Sequence, residues 1–250
     1  MTNPATAVPR TANLREKIIV ALDVETADES RIIVNELRGQ VGAFKIGLQL
    51  FVAAGPVFVR EMAAMGEKIF LDLKFHDIPN TVAKASVEAA RLGVWMFNVH
   101  TFGGAEMMRR TVDEVGNVCE REGINRPLII GVTVLTSADP NTLSEVGIRE
   151  DIKKQVVALA ELAAESGLDG VVASPREVVA IRTAVPQSTF LTITPGIRAN
   201  LATEDDQKRV TTFGRAIANG SDYVVIGRPI TQAADRVAAV EQIIGAVESI

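Results

Sequence analysis

Cysteine occurs once in this 250-residue chain, at Cys119. An intramolecular disulfide is therefore excluded, and the chain fits a reducing compartment. Cys119 lies in the helix-like stretch 105–122, where a lone thiol reads as a small packed hydrophobe. No apolar run approaches the ~20 residues of a membrane span. The opening residues MTNPATAVPRTA lack the apolar centre of a secretory signal. We therefore expect a cytoplasmic protein with an N-terminal tail over residues 1–15 and no membrane partner. An excess of positive charge is also missing, since the formal net charge is −5. A nucleic-acid binder needs a basic face to neutralise phosphates, so none is expected as a partner. The chain has no His/Cys cluster at ligand spacing, and no GxGxxG follows the first strand-like run.

What the chain does have is alternation. At 47% hydrophobic and 23% charged it can fill a sizeable core. Short β-branched runs occur at 17–23 (KIIVALD), 43–48 (AFKIGL), 68–74 (KIFLDLK), 96–100 (MFNVH), 128–135 (LIIGVTVL), 170–174 (GVVAS), 190–195 (FLTITP) and 223–228 (YVVIGR). Helix-period segments separate them. In IKKQVVALAELAAESG, Val156, Leu159, Ala160, Leu162 and Ala163 form the stripe of a helix that covers a sheet. Gly66, Gly93, Gly167 and Gly220 stand where such helices would stop. Alternating strand and helix implies a parallel sheet buried on both faces. Eight units without a composition break favour a single-domain (β/α)8 TIM barrel over residues 16–250, an α/β fold. A doubly wound open sheet is the alternative.

In a barrel of this kind, chemistry sits at the carboxyl ends of the strands. The stretch FLDLKFHDIPNT places Asp72, Lys74, His76 and Asp77 at the end of the third run. Asp23 ends the first run, Lys45 lies in the second, His100 ends the fourth, and Thr136 and Ser137 follow the fifth. Arg198 in TPGIR and Arg228 in IGRP follow the seventh and eighth, each beside a glycine. Such turns offer backbone N–H groups and a guanidinium to a phosphate. The polar segment between them, ANLATEDDQKR, is long enough for a lid and contains Gln207. Strand alternation sends Asp72 and Lys74 to one side and Leu71 and Leu73 to the other. If the leucines meet the helices, the charged pair enters the barrel mouth, within reach of Lys45 and Asp23. An alternating Lys–Asp–Lys–Asp chain could then keep every member ionised. A purely structural ion network is the competing reading, weakened because buried ion pairs stabilise less than apolar packing. His76 reads first as a structural hydrogen-bonding residue, and His100 as part of a pocket floor.

DLKFHDIPNTV (72–82), with ALD, FKIGL, VTVLTS, TPGIR, DDQKRV and VIGRPI, resembles the bacterial-type orotidine 5′-monophosphate decarboxylase family, in order from about Lys17 onward. The resemblance implies conversion of orotidine 5′-monophosphate to uridine 5′-monophosphate and CO2 without metal or organic cofactor. By motif, Lys74 matches the catalytic lysine, and Asp72 the carboxylate facing the substrate's carboxylate. Asp77 matches an aspartate supplied across a homodimer interface, with Ile78 and Thr81 beside it. Lys45 and Asp23 match ribose and network contacts, Thr136 a position near the pyrimidine, and Arg198, Gln207, Gly227 and Arg228 a phosphate grip. The rival readings are a Mg²⁺-dependent keto-sugar phosphate decarboxylase or synthase of the same superfamily, and a non-catalytic phosphate-ligand-binding barrel.

Overall fold

The eight runs form strands β1 (Ile18–Ala21), β2 (Ala43–Gly47), β3 (Ile69–Phe75), β4 (Met96–His100), β5 (Leu128–Val132), β6 (Gly170–Val172), β7 (Leu191–Thr194) and β8 (Tyr223–Ile226). They were located in a computed structural model whose described residues are 14–197 and 211–248. Every neighbouring pair is parallel, and β8 pairs with β1 through Ile18–Val224, Ile19–Val225 and Val20–Ile226. The sheet is therefore a closed barrel, which removes the open-sheet alternative. Each strand is shorter than or equal to its sequence run. Asp23 lies just beyond β1, and Thr136 and Ser137 lie in the loop after β5.

The connecting helices are α1 (Ala27–Leu37), α2 (Leu48–Ala64), α3 (Pro79–Arg91), α4 (Gly104–Glu122), α5 (Pro140–Glu145), α6 (Ile152–Glu165), α7 (Val178–Ala184), α8 (Phe213–Ala218), α9 (Arg228–Thr231) and α10 (Arg236–Glu248). Their starts are chemically marked. The Thr26 side chain accepts from Glu29 N, and Asp151 accepts from Lys153 N and Lys154 N, satisfying amides that have no partner within the helix. The four glycine stops all carry positive φ. Within α2 the helical path breaks at Gly55 (φ 73°), because Pro56 cannot donate the next backbone bond.

Two apolar layers follow from strand alternation. Outward residues such as Val20, Phe44, Leu71 and Phe97 pack beneath the helices with Val156, Leu159, Ala160 and Ala163 of α6. Leu162 is only partly buried, and Cys119 is packed in α4 as a small hydrophobe, where burial pushes its thiol pKa up. Inward residues Ile19, Ala21, Ala43, Phe70, Met96, Ile130, Ile193 and Val225 fill the barrel. Each large side chain taken out of water contributes about 1.5–3 kcal/mol. Trp95 and Tyr223, at the amino ends of β4 and β8, meet edge to face at 5.1 Å, and Lys68 Nζ lies 5.7 Å from the Trp95 ring. Apolar and aromatic groups thus fill the interior from the amino end, leaving the carboxyl end for charge.

Leu14 and Arg15, the last residues assigned to a tail, are anchored: Arg15 donates to Gln40 Oε1 at 2.8 Å and pairs with Glu241. Among the described residues no helix is long and apolar enough to cross a membrane.

Candidate active site

Lys45 leaves β2 on the inward face and is only 8% exposed. A buried ammonium requires partners, and it has two. Its Nζ lies 2.9 Å from Asp23 Oδ1 and 3.4 Å from Asp72 Oδ2. Burial pulls the Lys45 pKa down, but Asp72 and Asp23 outweigh it and hold the pKa above the ordinary lysine value. Burial likewise works against ionised Asp72, yet Lys45, Lys74 and two hydrogen bonds keep its pKa below the usual carboxylate range. The far oxygen of Asp72, Oδ1, accepts from Lys74 Nζ at 2.7 Å. Asp23, Lys45, Asp72 and Lys74 therefore form one continuous chain of alternating charge across β1, β2 and β3. Gly47 makes room for its first link: a Cβ there would lie 3.1 Å from Lys45 Nζ and 3.3 Å from Asp23 Oδ1.

Simple alternation does not account for how Lys74 gets there. Leu71 pairs with Phe97 and Phe75 pairs with Val99, so residues 72–74 of β3 stand opposite Asn98 alone. The ladder breaks at this point, and Lys74 takes φ 52°, the one positive φ at a non-glycine among the described residues. An L-residue in this region costs about 1–2 kcal/mol. Such strain persists where surrounding contacts over-determine it, and it concentrates at functional sites. Here the contacts come from Asn98, which is fully buried. Its Oδ1 accepts the Lys74 backbone N–H at 2.7 Å, and its Nδ2 donates to Asp72 Oδ1 at 2.7 Å. Sequence reasoning missed Asn98. Its signal was an amide in the apolar run MFNVH, in phase with inward Met96 and His100.

The remaining candidates line the same rim. Asp77 is exposed, and its Oδ1 accepts from Ile78 N at 2.6 Å. Ile78, at the start of α3, is 66% exposed, and Thr81 is exposed one turn on. None of these three belongs to the buried charge chain. Thr136 is half-buried and Ser137 exposed. Gly227 precedes α9, which begins with Arg228, and a Cβ on Gly227 would lie 3.6 Å from Ala21 Cβ and 3.9 Å from Asp23 Oδ2. The glycine turn after β8 therefore adjoins the charge chain. Arg198 and Gln207 lie outside the described residues; on either side of 198–210, Ile197 and Thr211 are bridged. His76 lies beyond the end of β3 and stacks on His100, with ring centroids 5.4 Å apart. Burial, then electrostatic repulsion from the neighbouring His76 and Lys74, pulls the His100 pKa down to about 4. Among the described residues no group of three or more His, Cys, Asp or Glu is arranged to hold a metal ion.

A closed parallel barrel with fixed ions of alternating sign at its carboxyl mouth defines a (β/α)8-barrel enzyme. A sequence model of the Orotidine 5′-phosphate decarboxylase / HUMPS family matches residues 16–243, and the chain belongs to that family. It is 51% identical over 233 residues to an orotidine 5′-phosphate decarboxylase of Geobacter metallireducens, covering 93% of this chain and 96% of the relative. A second such decarboxylase, from Syntrophotalea carbinolica, is 50% identical over 92% of this chain and 94% of its own length. Among solved structures, the orotidine 5′-phosphate decarboxylase of Lactobacillus acidophilus superposes with a TM-score of 0.79 at 37% identity, covering 92% of this chain and 98% of that one.

Proposed function

We propose that the protein decarboxylates orotidine 5′-monophosphate to uridine 5′-monophosphate and CO2, the last step of de novo pyrimidine synthesis. It does so in the cytoplasm, as a homodimer, without metal or organic cofactor. The observation that carries this reading is the Asp23–Lys45–Asp72–Lys74 chain, with Lys74 Nζ 2.7 Å from Asp72 at the open end of the barrel. The C6–carboxylate bond breaks with its electron pair left on C6, and CO2 departs. That pair lies in the ring plane, where the ring carbonyls delocalise it poorly, so stabilisation must come from a fixed positive charge nearby. The Lys74 ammonium supplies that charge and then transfers a proton to C6, acting as general acid. Asp72 faces the departing carboxylate and orients the ammonium. Lys45, itself held by Asp23, compensates Asp72 and meets the ribose.

Thr136 lies against the pyrimidine. Arg198, Gln207, Gly227 and Arg228 bind the phosphate, and this remote binding energy is spent on geometry at the reacting carbon. Asp77, Ile78 and Thr81 complete the partner's site, a role supported by their exposure on one rim outside the buried chain. The reading is tested by following the absorbance loss of orotidine 5′-monophosphate with and without EDTA. Chelator-resistant turnover is expected, whereas turnover abolished by EDTA and restored by Mg²⁺ would identify the metal-dependent rival. For the shared site, Lys74→Ala and Asp77→Ala proteins are each expected to be nearly inactive. Mixed under conditions that exchange subunits, they should recover about a quarter of wild-type activity, since half the hybrids' sites are intact. Absence of recovery, or a fully active monomer on sedimentation, would remove the dimer.

A further inference from the structure

We propose that Asn98 is a positioning residue for the proton donor. Its side-chain amide substitutes for the missing β3–β4 ladder, holding Lys74 in its left-handed backbone conformation and aiming Asp72 at the Lys74 ammonium. This rests on the reading of Lys74 as general acid, and three observations from different levels of structure converge on it.

The first is register. Three residues of β3 face one of β4, so the Lys74 N–H loses the strand partner it would have in a regular ladder. The second is conformation. Lys74 sits at φ 52°, which a lysine does not hold without external restraint. The third is chemistry. The two bonds of Asn98 fix its orientation, because only its oxygen can accept from an N–H and only its nitrogen can donate to a carboxylate. Both end on consecutive functional residues, and Asn98 is fully buried on a strand, the most rigid platform the fold provides. A neutral amide suits the place. It restrains Asp72 without cancelling the charge that Lys45 and Lys74 share, as a third cation would.

The test compares Asn98→Ala and Asn98→Asp with wild type and Lys74→Ala in the orotidine 5′-monophosphate assay. Asn98→Ala should lower kcat about 100-fold, as expected for a displaced reacting group, with KM changed little because the phosphate and ribose contacts lie elsewhere. Asn98→Asp keeps the shape and the acceptor for the Lys74 N–H, but it faces Asp72 and Lys74 from β3, with Lys45 on Asp72 Oδ2. Two adjacent carboxyls share a proton at raised pKa, and in its protonated form the new residue can still donate to Asp72. Its kcat relative to wild type should therefore fall as pH rises from about 5 to about 8. Should Asn98→Ala fail to fold, this ratio decides. A folded Asn98→Ala enzyme with wild-type kcat, a loss confined to KM, or a pH-independent Asn98→Asp ratio would each overturn the proposal. An active Lys74→Ala enzyme would instead overturn the underlying reading of the site.

Discussion

Replacing Lys74 by glycine and, separately, by alanine isolates the backbone strain at this position. Both substitutions remove the ammonium, and both leave Asp72 with Lys45 and Asn98, so those losses cancel in the comparison. What differs is the backbone. At φ 52° an alanine keeps a Cβ that this region disfavours by about 1–2 kcal/mol, whereas glycine adopts it freely. Glycine in turn gives the unfolded chain more freedom, worth about 0.4–1 kcal/mol against it. The remainder, centred on about 0.8 kcal/mol, favours glycine, or about 2–3 °C in Tm for a chain of this size. At an ordinary strand position the order is reversed, so the sign alone is diagnostic. Urea unfolding followed by far-ultraviolet circular dichroism, with both variants inactive in turnover, measures it. An alanine variant as stable as the glycine variant would mean that position 74 is unstrained and that the clamp argued for Asn98 has nothing to hold.

Asp72→Asn should cost about 3 kcal/mol of stability along with turnover, because it leaves Lys45 and Lys74 facing a neutral group; an unchanged Tm would contradict this. Acid should weaken the fold through His100. Its pKa is about 4 when folded and 6.5 as a free side chain, so the unfolded chain takes up the proton first and stability drops as pH falls through that window. Since the ring is partly reached by solvent, the loss from pH 7 to pH 5 is about 1–2 kcal/mol, and a His100→Leu variant that keeps the full slope would refute the assignment. Arg228→Ala should lower kcat/KM at least 100-fold through loss of a charge-assisted phosphate contact; an unchanged kcat/KM would mean that the phosphate is bound elsewhere.

The barrel was legible in the chain because period-2 and period-3.6 apolar patterns report burial directly, and the eight runs coincide with the eight strands. Lys45 and Asp72 were legible because charge inside an apolar run has to be paired. Lys74 was found by its neighbours in the motif, but for an incomplete reason: alternation predicts a straight strand, whereas the chain inserts extra residues against Asn98 and turns lysine left-handed. No local propensity predicts that, since the stabilising contact comes from another strand and lysine itself resists the conformation. Asn98 was obscured similarly, as one amide among Phe97, Val99 and Met96 reads as an imperfection in a strand rather than a bond to residues 24 and 26 positions away.

The seam between β8 and β1 has a consequence for how the protein comes into being. Gly227 borders Asp23 only because the last strand zips onto the first. A nascent polypeptide that has emerged only as far as β7 has Lys74 but not the Gly227 turn that borders Asp23. The complete barrel mouth thus arrives only with ring closure, and a message truncated before Tyr223 leaves β1 without its second neighbour however much of the helical shell has formed.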